Sequence, residues 1–255
     1  MALSIINMIE KKNKLKPKVI VIMPAYNAAK TLERTYKDIP KDIVDEVVLV
    51  DDASSDKTVR IAKKLGLKVF LHPVNLGYGG NQKTCYWEAL KRKPDIIVMI
   101  HPDYQYDATL TRELIYPITK NRFDIMLGSR VRSRSEVLEG GMPWWKYYGN
   151  RFLTILENVI LGLNLSEYHT GFRAYSTKAL KKLPFMRMSN DFIFDQQILI
   201  SAAANNLKMG EIPVPVRYFP EASSASFINS VKYGLGILWT LFLYFCNKKS
   251  KLFIK

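Results

Sequence analysis

The stretch Ile96-Ile97-Val98-Met99-Ile100-His101-Pro102-Asp103-Tyr104-Gln105 joins five consecutive apolar residues, bounded by Pro94 and Pro102, to an imidazole, a carboxylate and an amide. A short run that is apolar on both faces reads as a strand buried between two layers of helices, as in parallel sheets. His101, Asp103 and Gln105 then fall at the carboxyl end of that strand, the edge where open α/β sheets bind ligands.

Comparable β-branched runs recur at residues 19–23, 47–50, 68–71 and 125–127, and segments with helical spacing lie between them at 29–38, 57–65, 80–91 and 109–119. This alternation predicts an α/β fold, Rossmann-like in outline, with a mostly parallel central sheet and helices on both faces. After Arg130 the rhythm changes. An Arg/Ser/Gly-rich loop at 130–141 leads to Trp144-Trp145-Lys146-Tyr147-Tyr148 and a long helix reaching about residue 163. A polar turn at 168–173, a helix at about 191–206 and a Pro-spaced strand at 211–216 follow.

With 255 residues and 48% apolar content the chain can bury a full core as one domain. Its net charge of +15 calls for an anionic partner: nucleic acid, a membrane surface or a phosphorylated substrate. Nucleic acid is excluded as the reading, because the basic residues are dispersed and concentrate mainly at 11–18 and 248–255, with no nucleic-acid-binding signature beside them. Two cysteines, Cys85 and Cys246, are too few and too far apart for a disulfide framework. Residues 3–8 are too short for a signal-peptide core, which places the expected location on the cytoplasmic face of a membrane.

Residues 233–246 carry no charge, include Trp239, Phe242, Tyr244 and Phe245, and are followed by Lys248, Lys249 and Lys251. The run is short of the roughly 20 residues a spanning helix needs. It predicts a membrane-associating helix lying on or dipping into an anionic surface, with a core helix or an oligomer contact as the alternative.

The remaining strand ends carry polar groups of their own. The first ends in Pro24-Ala25-Tyr26-Asn27 and the second in Asp51-Asp52-Ala53-Ser54-Ser55-Asp56. Two adjacent carboxylates at a strand mouth need a cation, a donor-rich ligand or water; Ser55 or Asp56 is expected to cap the next helix. The third strand is followed by Asn75-Leu76-Gly77-Tyr78-Gly79-Gly80, whose glycines permit close backbone approach to a ligand ahead of a helix.

Taken in order, Pro24 to Asn27, Asp51 to Asp56, Asn75 to Gly79, Asp103-Tyr104-Gln105, Gly128-Ser129-Arg130 and Thr170-Gly171-Phe172-Arg173-Ala174-Tyr175 resemble the family-2 glycosyltransferases of GT-A fold. Within them the set is most similar to the dolichyl- or polyprenyl-phosphate hexose synthases, over roughly residues 19–215. The resemblance implies a basic segment at 1–18, a transferase domain at 19–220 and a membrane-associated helix with a basic tail at 221–255. The domain would divide into a nucleotide-sugar half (19–130) and an acceptor half (131–220).

It also implies roles. Pro24, Ala25, Tyr26 and Asn27 would line the nucleoside, with Asp51 or Asp52 on base and ribose and Gly77 and Gly79 beside the nucleotide. Asp103 and Gln105 would contact Mn2+ or Mg2+ bridging the donor diphosphate. His101, standing where the family commonly has aspartate, would be a ligand, a neighbour of one, or a phosphate donor. Arg130, Arg132 and Arg173, with Arg134, would clamp an acceptor phosphate through their planar forks.

The implied reaction is inverting transfer of a hexose from a nucleoside diphosphate sugar to a polyprenyl phosphate, whose oxygen is already anionic and needs no base. A sugar hydroxyl as acceptor would instead need one, for which Asp195 or Asp191 is available. A non-catalytic nucleotide-sugar-binding relative is the third possibility.

Overall fold

A computed structural model describes residues 16–130, 137, 142–215 and 227–254. Within them lie strands β1 (Val19–Ala25), β2 (Glu46–Asp51), β3 (Lys68–Leu71), β4 (Ile96–Met99), β5 (Ile125–Ser129), β6 (Arg173–Ser176) and β7 (Met209–Pro213). They form one sheet in the order β3-β2-β1-β4-β6-β5-β7. Neighbouring pairs are parallel except those of β6, which runs antiparallel to both β4 and β5.

The main helices are α1 (Leu32–Asp38), α2 (Thr58–Lys64), α3 (Tyr78–Lys91), α4 (Thr111–Thr119), α5 (Trp144–Leu161), α6 (Thr177–Lys182), α7 (Phe194–Ala204) and α8 (Phe227–Cys246). All seven residues of β1 are buried. Ile20 and Ile22 pack on one face with Tyr86 of α3 and Ile198 and Leu199 of α7. Val19, Val21 and Met23 pack on the other with Leu32 of α1 and Leu114 and Ile118 of α4. A strand flanked on both sides in this way has no polar face, and each such side chain contributes about 1.5–3 kcal/mol by leaving water.

Two elements differ from the sequence expectation. The turn expected at 168–173 runs straight into β6, a four-residue strand that wedges between β4 and β5. Its buried residues, Arg173, Ala174 and Tyr175, offer no apolar run; pairing on both edges, and not hydrophobicity, makes it a strand. β7 begins at Met209 and ends at Pro213, slightly upstream of the predicted 211–216.

The uncharged C-terminal run forms α8, and no helix among the described residues is long and apolar enough to cross a membrane. Its inner face, Ile237, Leu241 and Tyr244, is buried with Ile200 of α7 and Phe253. The segment after it is tied back to α7, where Ser201 Oγ and Asn205 Nδ2 donate to the Phe253 carbonyl at 2.5 and 2.8 Å. The outer face remains exposed at Leu235, Trp239, Phe242 and Phe245, and α5, packed alongside, exposes Trp144, Phe152, Ile155 and Val159.

Candidate active site

The sheet order places the ends of β1, β2 and β4 side by side, and antiparallel β6 starts at that same edge. Asn27, Ala53 and Tyr104, in the loops leaving β1, β2 and β4, all adopt left-handed backbone, with φ of 50°, 62° and 61°. Strain of this kind in non-glycine residues is held in place by surrounding structure and concentrates at functional sites.

On the β1–β2 side, Ala25 is in register with Asp51, and Tyr26 is 57% exposed beside them. Asn27 Oδ1 accepts from Ser55 N at 3.0 Å, and Ser54 Oγ accepts from Asn27 N at 2.8 Å. Asp56 Oδ1 caps α2 by accepting from Thr58 N at 2.9 Å. The two adjacent aspartates separate in role. One Asp51 oxygen accepts from Ser54 N at 2.9 Å while Oδ1 is buried with no partner. Asp52 is fully committed inside the protein: it binds His72 Nδ1 at 2.7 Å, Leu76 N at 2.8 Å and Gly77 N at 3.1 Å. Asp52 thereby anchors the 75–77 loop.

The glycines are hemmed in by the chain itself. A Cβ on Gly77 would stand 2.7 Å from Asn190 O, and one on Gly79 would stand 2.6 Å from Ser189 O and 2.7 Å from Phe194 Cβ. The close approach they permit is to the 189–194 segment of the protein itself. The first turn of α3 is spoken for too, since Gly79 N and Gly80 N both donate to Asn190 O, at 2.7 and 3.2 Å.

Beyond β4 lies a cavity of about 520 Å3 whose polar floor includes Tyr78, His101, Asp103, Gln105, Arg130 and Asp195. Asp103 Oδ1 accepts from Gln105 N at 3.1 Å, and among the described residues Asp103 makes no ion pair. Burial pushes its carboxyl above the usual range, only partly opposed by His101 and the Gln105 amide. Tyr78, stacked on His101 with ring centroids 5.2 Å apart, shares its hydroxyl between His101 Nε2 at 2.9 Å and Asp195 Oδ2 at 2.7 Å. Asp195 Oδ1 accepts from Gln82 Nε2 at 3.0 Å.

Arg130 and Arg173, paired in the sequence reading, part company. Arg130 reaches the cavity wall, gripped by buried Glu167: its Nε donates to Glu167 Oε1 at 2.8 Å, its backbone N to Oε2 at 2.7 Å, and its Nη2 to Glu167 and to His169 O. Burial pushes the Glu167 carboxyl up, but the charge and hydrogen bonds of Arg130 outweigh it and hold the group below the carboxylate range. Arg173 is fully buried and does not line the cavity. Its guanidinium donates to Thr170 O, Asp195 O and Tyr168 O at 2.6, 2.9 and 3.0 Å, and lies 3.3 Å from Asp195 Oδ1. With these donors turned inward, Arg173 ties the 168–170 turn to the start of α7. Arg132 and Arg134 lie outside the described residues.

Lys146, which the sequence reading passed over, lines the cavity instead; burial, reinforced by Arg130, pulls its ammonium below the usual lysine range. The rest of the lining is largely apolar and includes Trp145, Phe152 and Leu153 of α5 and Tyr233, Leu235 and Leu238 of α8. Glu167 and Lys146 carry no motif signal. Tyr78 was visible only as a member of the glycine-rich stretch.

Could a divalent cation sit at Asp103? No group of three His, Cys, Asp or Glu side chains able to cage a metal occurs among the described residues. One desolvated carboxylate, one amide and one imidazole fit an ion that draws most of its ligands from a diphosphate and water, as Mg2+ and Mn2+ do in nucleotide sites.

The family model described as Glycosyl transferase family 2 matches residues 20–184. An uncharacterized protein of Methanocaldococcus jannaschii is 31% identical over 228 residues, 89% of this chain and 92% of its own. A UDP-N-acetylglucosamine–dolichyl-phosphate N-acetylglucosaminyltransferase of Methanococcus voltae is 28% identical over 88% of this chain and 95% of its own. Among solved structures, glucosyl-3-phosphoglycerate synthase of Mycobacterium tuberculosis, in complex with Mn2+, UDP and glucosyl-3-phosphoglycerate, aligns with a TM-score of 0.69. That match covers 90% of this chain and 80% of the other at 19% identity, so what the two share is the GT-A fold.

Proposed function

The chain belongs to glycosyl transferase family 2, and on that premise we propose that it moves a hexose from a nucleoside diphosphate sugar to a polyprenyl phosphate, with inversion, at the surface of a membrane. The observation that carries this reading is the cavity itself, a charged floor under an apolar wall that opens between α5 and α8. A phosphate joined to a long hydrocarbon chain matches both parts.

The nucleoside would rest against Pro24, Ala25, Tyr26 and Asn27, with the unpartnered Oδ1 of Asp51 accepting from the base or ribose. Asp103 and Gln105, with His101, would hold the divalent ion, which when bound neutralises charge on the departing diphosphate. Arg130 and Lys146 take the acceptor phosphate, a desolvated guanidinium and ammonium acting on one anion where water is scarce. The hydrocarbon lies along Trp145, Phe152, Leu153, Leu235 and Leu238. The phosphate oxygen attacks as an anion, so the chain has only to align it with the anomeric carbon.

The alternative, a hydroxyl acceptor with Asp195 as base, is less well supported, because both Asp195 oxygens already accept hydrogen bonds, from Tyr78 and Gln82, and Arg173 stands beside them. The relative from Methanococcus voltae, a dolichyl-phosphate transferase by name, favours the phosphate acceptor. The exposed apolar faces of α5 and α8, with Lys248, Lys249 and Lys251 at the end of α8, support docking on an anionic bilayer.

The deciding assay incubates the protein with labelled nucleotide sugars and polyprenyl phosphate in vesicles. A mild-acid-labile glycosyl phospholipid is the expected product; label appearing only in an acid-stable glycoside would overturn the reading.

A further inference from the structure

Resting on the reading of this protein as one that works at a bilayer, though not on its chemistry, we propose that a second cavity, at the opposite end of α3 from the catalytic one, binds the phosphate headgroup of an anionic phospholipid. This cavity has a volume of about 650 Å3 and lies between the C-terminal end of α3, which supplies Trp87 and Lys91, and the segment at 181–187. Its floor is core: Leu183 and Phe185 are buried, and Phe185 stands edge-on to Tyr86 with ring centroids 5.8 Å apart. Its mouth is open, with Trp87 51% and Met186 56% exposed. An indole and a thioether left in water over a buried apolar floor form a contiguous patch of the kind that marks a binding surface.

The rim of this trough is cationic. Lys91, Lys181 and Arg187 line it, and all three are exposed. Glu88 on the same helix is already held by Lys91 Nζ at 2.6 Å and Arg92 Nη1 at 3.5 Å. Arg187 donates from Nη1 to the Lys251 carbonyl at 3.3 Å, and among the described residues its other N–H groups have no hydrogen-bond partner, so most of the guanidinium fork remains for phosphate oxygens. The ligand that satisfies both parts is an amphiphile with an anionic head and apolar carbon next to it.

The Arg187 contact also decides which amphiphile. Lys251 belongs to the segment that follows α8, where Lys248 and Lys249 are exposed as well, so the cavity adjoins the basic end of the helix whose outer face carries Trp239, Phe242 and Phe245. A phospholipid of the bilayer met by that face would offer its phosphate to Arg187 and Lys181, and its glycerol and first methylenes to Trp87 and Met186. An indole, apolar but for one N–H, suits that depth. The volume falls in the range of pockets that enclose a small ligand and admits one headgroup. An acidic helix of a partner protein would match the charge, but gives no reason for the site to abut the apolar end of α8. Held by α8 alone, the domain could roll about the helix axis; a second contact at this cavity fixes one orientation on the bilayer.

The test floats the full chain with vesicles of phosphatidylcholine, with and without phosphatidylglycerol. Lys181→Glu with Arg187→Glu should weaken binding to the anionic vesicles at least about tenfold. Lys63→Glu with Lys64→Glu makes the same change of charge on exposed positions of α2, which packs on the opposite face of the sheet, and should cost less than about threefold. Neither pair lines the catalytic cavity, so both variants should keep their turnover on a short-chain prenyl phosphate in solution. Phosphatidylglycerol brominated near the head of its acyl chains supplies a local readout: the tryptophan emission that it quenches in the wild type should fall in Trp87→Phe. If the wild type floats but the two charge reversals weaken it equally, or if Trp87 is not quenched, the proposal is overturned while docking through α8 stands. Capture of a Glu-rich amphipathic peptide, lost in Lys181→Glu with Arg187→Glu while vesicle binding is unchanged, would overturn it in favour of a protein partner. If the wild type binds neither kind of vesicle, the bilayer reading falls and takes the proposal with it.

Discussion

The edge formed by β1, β2 and β3 and the cavity under α5 and α8 are built on opposite plans. The first satisfies its polar groups locally: Asn27 binds Ser55, Asp56 caps α2, and Asp52 gathers His72, Leu76 and Gly77 within 25 positions of chain. The second is assembled from partners far apart in sequence, Tyr78 with Asp195 and Gln82 with Asp195 more than a hundred positions away. Local loops make a rigid seat that varies little with the ligand. Long-range hydrogen bonds make a wall whose chemistry depends on the whole domain being folded, so substitutions there should damage stability and activity together.

The largest expected effect tests where the two plans meet. Asp103 lies in the loop after β4, makes no ion pair among the described residues, and lines the cavity as the proposed cation ligand. Asp103→Asn should lower product formation by at least about 10³-fold, equivalent to about 4 kcal/mol of transition-state stabilisation, with little change in melting temperature. Steady-state turnover beside a thermal melt checks both halves of that statement.

Next comes the long-range wall. Glu167→Ala removes the buried carboxylate that faces Arg130 and should cost about 3–5 kcal/mol of stability, because a part-buried guanidinium loses its counter-charge. The pH dependence follows from the lowered Glu167 value. Its contribution is complete above the unfolded carboxyl range and is lost as pH falls through the folded value, so the wild type should weaken on acidification below about pH 4.5 while the variant shows a shallower slope. Chemical denaturation at pH 3.5, 5 and 7 reads the difference.

This contrast also explains what the sequence could and could not tell. The strand tips were legible because each combines an apolar run with polar residues immediately after it, and β1 to β5 begin and end close to where the pattern put them. β6 was not, because its strand identity comes from pairing on both edges. The burial of Arg173 was illegible for the same reason: its motif marks it as important, yet only the antiparallel turn of the chain reveals that its guanidinium points into the protein. Glu167 and Lys146 gave no signal at all, since a partner 37 positions away or a lysine in an aromatic cluster leaves no periodic trace.

The donor edge can be stressed through its packing. Gly79→Ala would drive a methyl group into Ser189 O and Phe194 Cβ, where backbone on one side and the start of α7 on the other cannot yield, and should cost about 1–3 kcal/mol. Because the clash separates α3 from the 189–194 segment, it should also reduce turnover by displacing Tyr78. An unaltered melting temperature would mean that the loop tolerates the methyl and that the seat is less rigid than the comparison holds.

The acceptor wall contains one group whose removal should improve the fold. Glu157 on α5 is fully buried, neither carboxyl oxygen has a hydrogen-bond partner, and His169 Nε2 stands 3.5 Å away. Burial, only weakly opposed by Arg173, raises its carboxyl well above the usual range, while burial pushes His169 down to about 3. Both are therefore neutral at pH 7. The folded state then holds a proton that the unfolded chain releases above about pH 4.5, so stability falls as pH rises toward the folded value. Glu157→Gln should stabilise the protein at pH 8 by on the order of 1 kcal/mol and flatten that slope, with no gain at pH 4.

The smallest effect on the fold falls on the outermost surface. Trp239 and Phe242 project from α8 with rings 5.6 Å apart and more than half exposed, so Trp239→Ser with Phe242→Ser should alter stability by no more than about 0.5 kcal/mol each. Each ring would contribute about 1.5–3 kcal/mol on entering a bilayer, so flotation with vesicles of anionic lipid should show binding reduced at least tenfold. Turnover on a water-soluble short-chain prenyl phosphate should persist. Retained vesicle binding would locate the membrane contact elsewhere, and loss of activity on the soluble acceptor would show that this face works through the cavity rather than through the lipid surface.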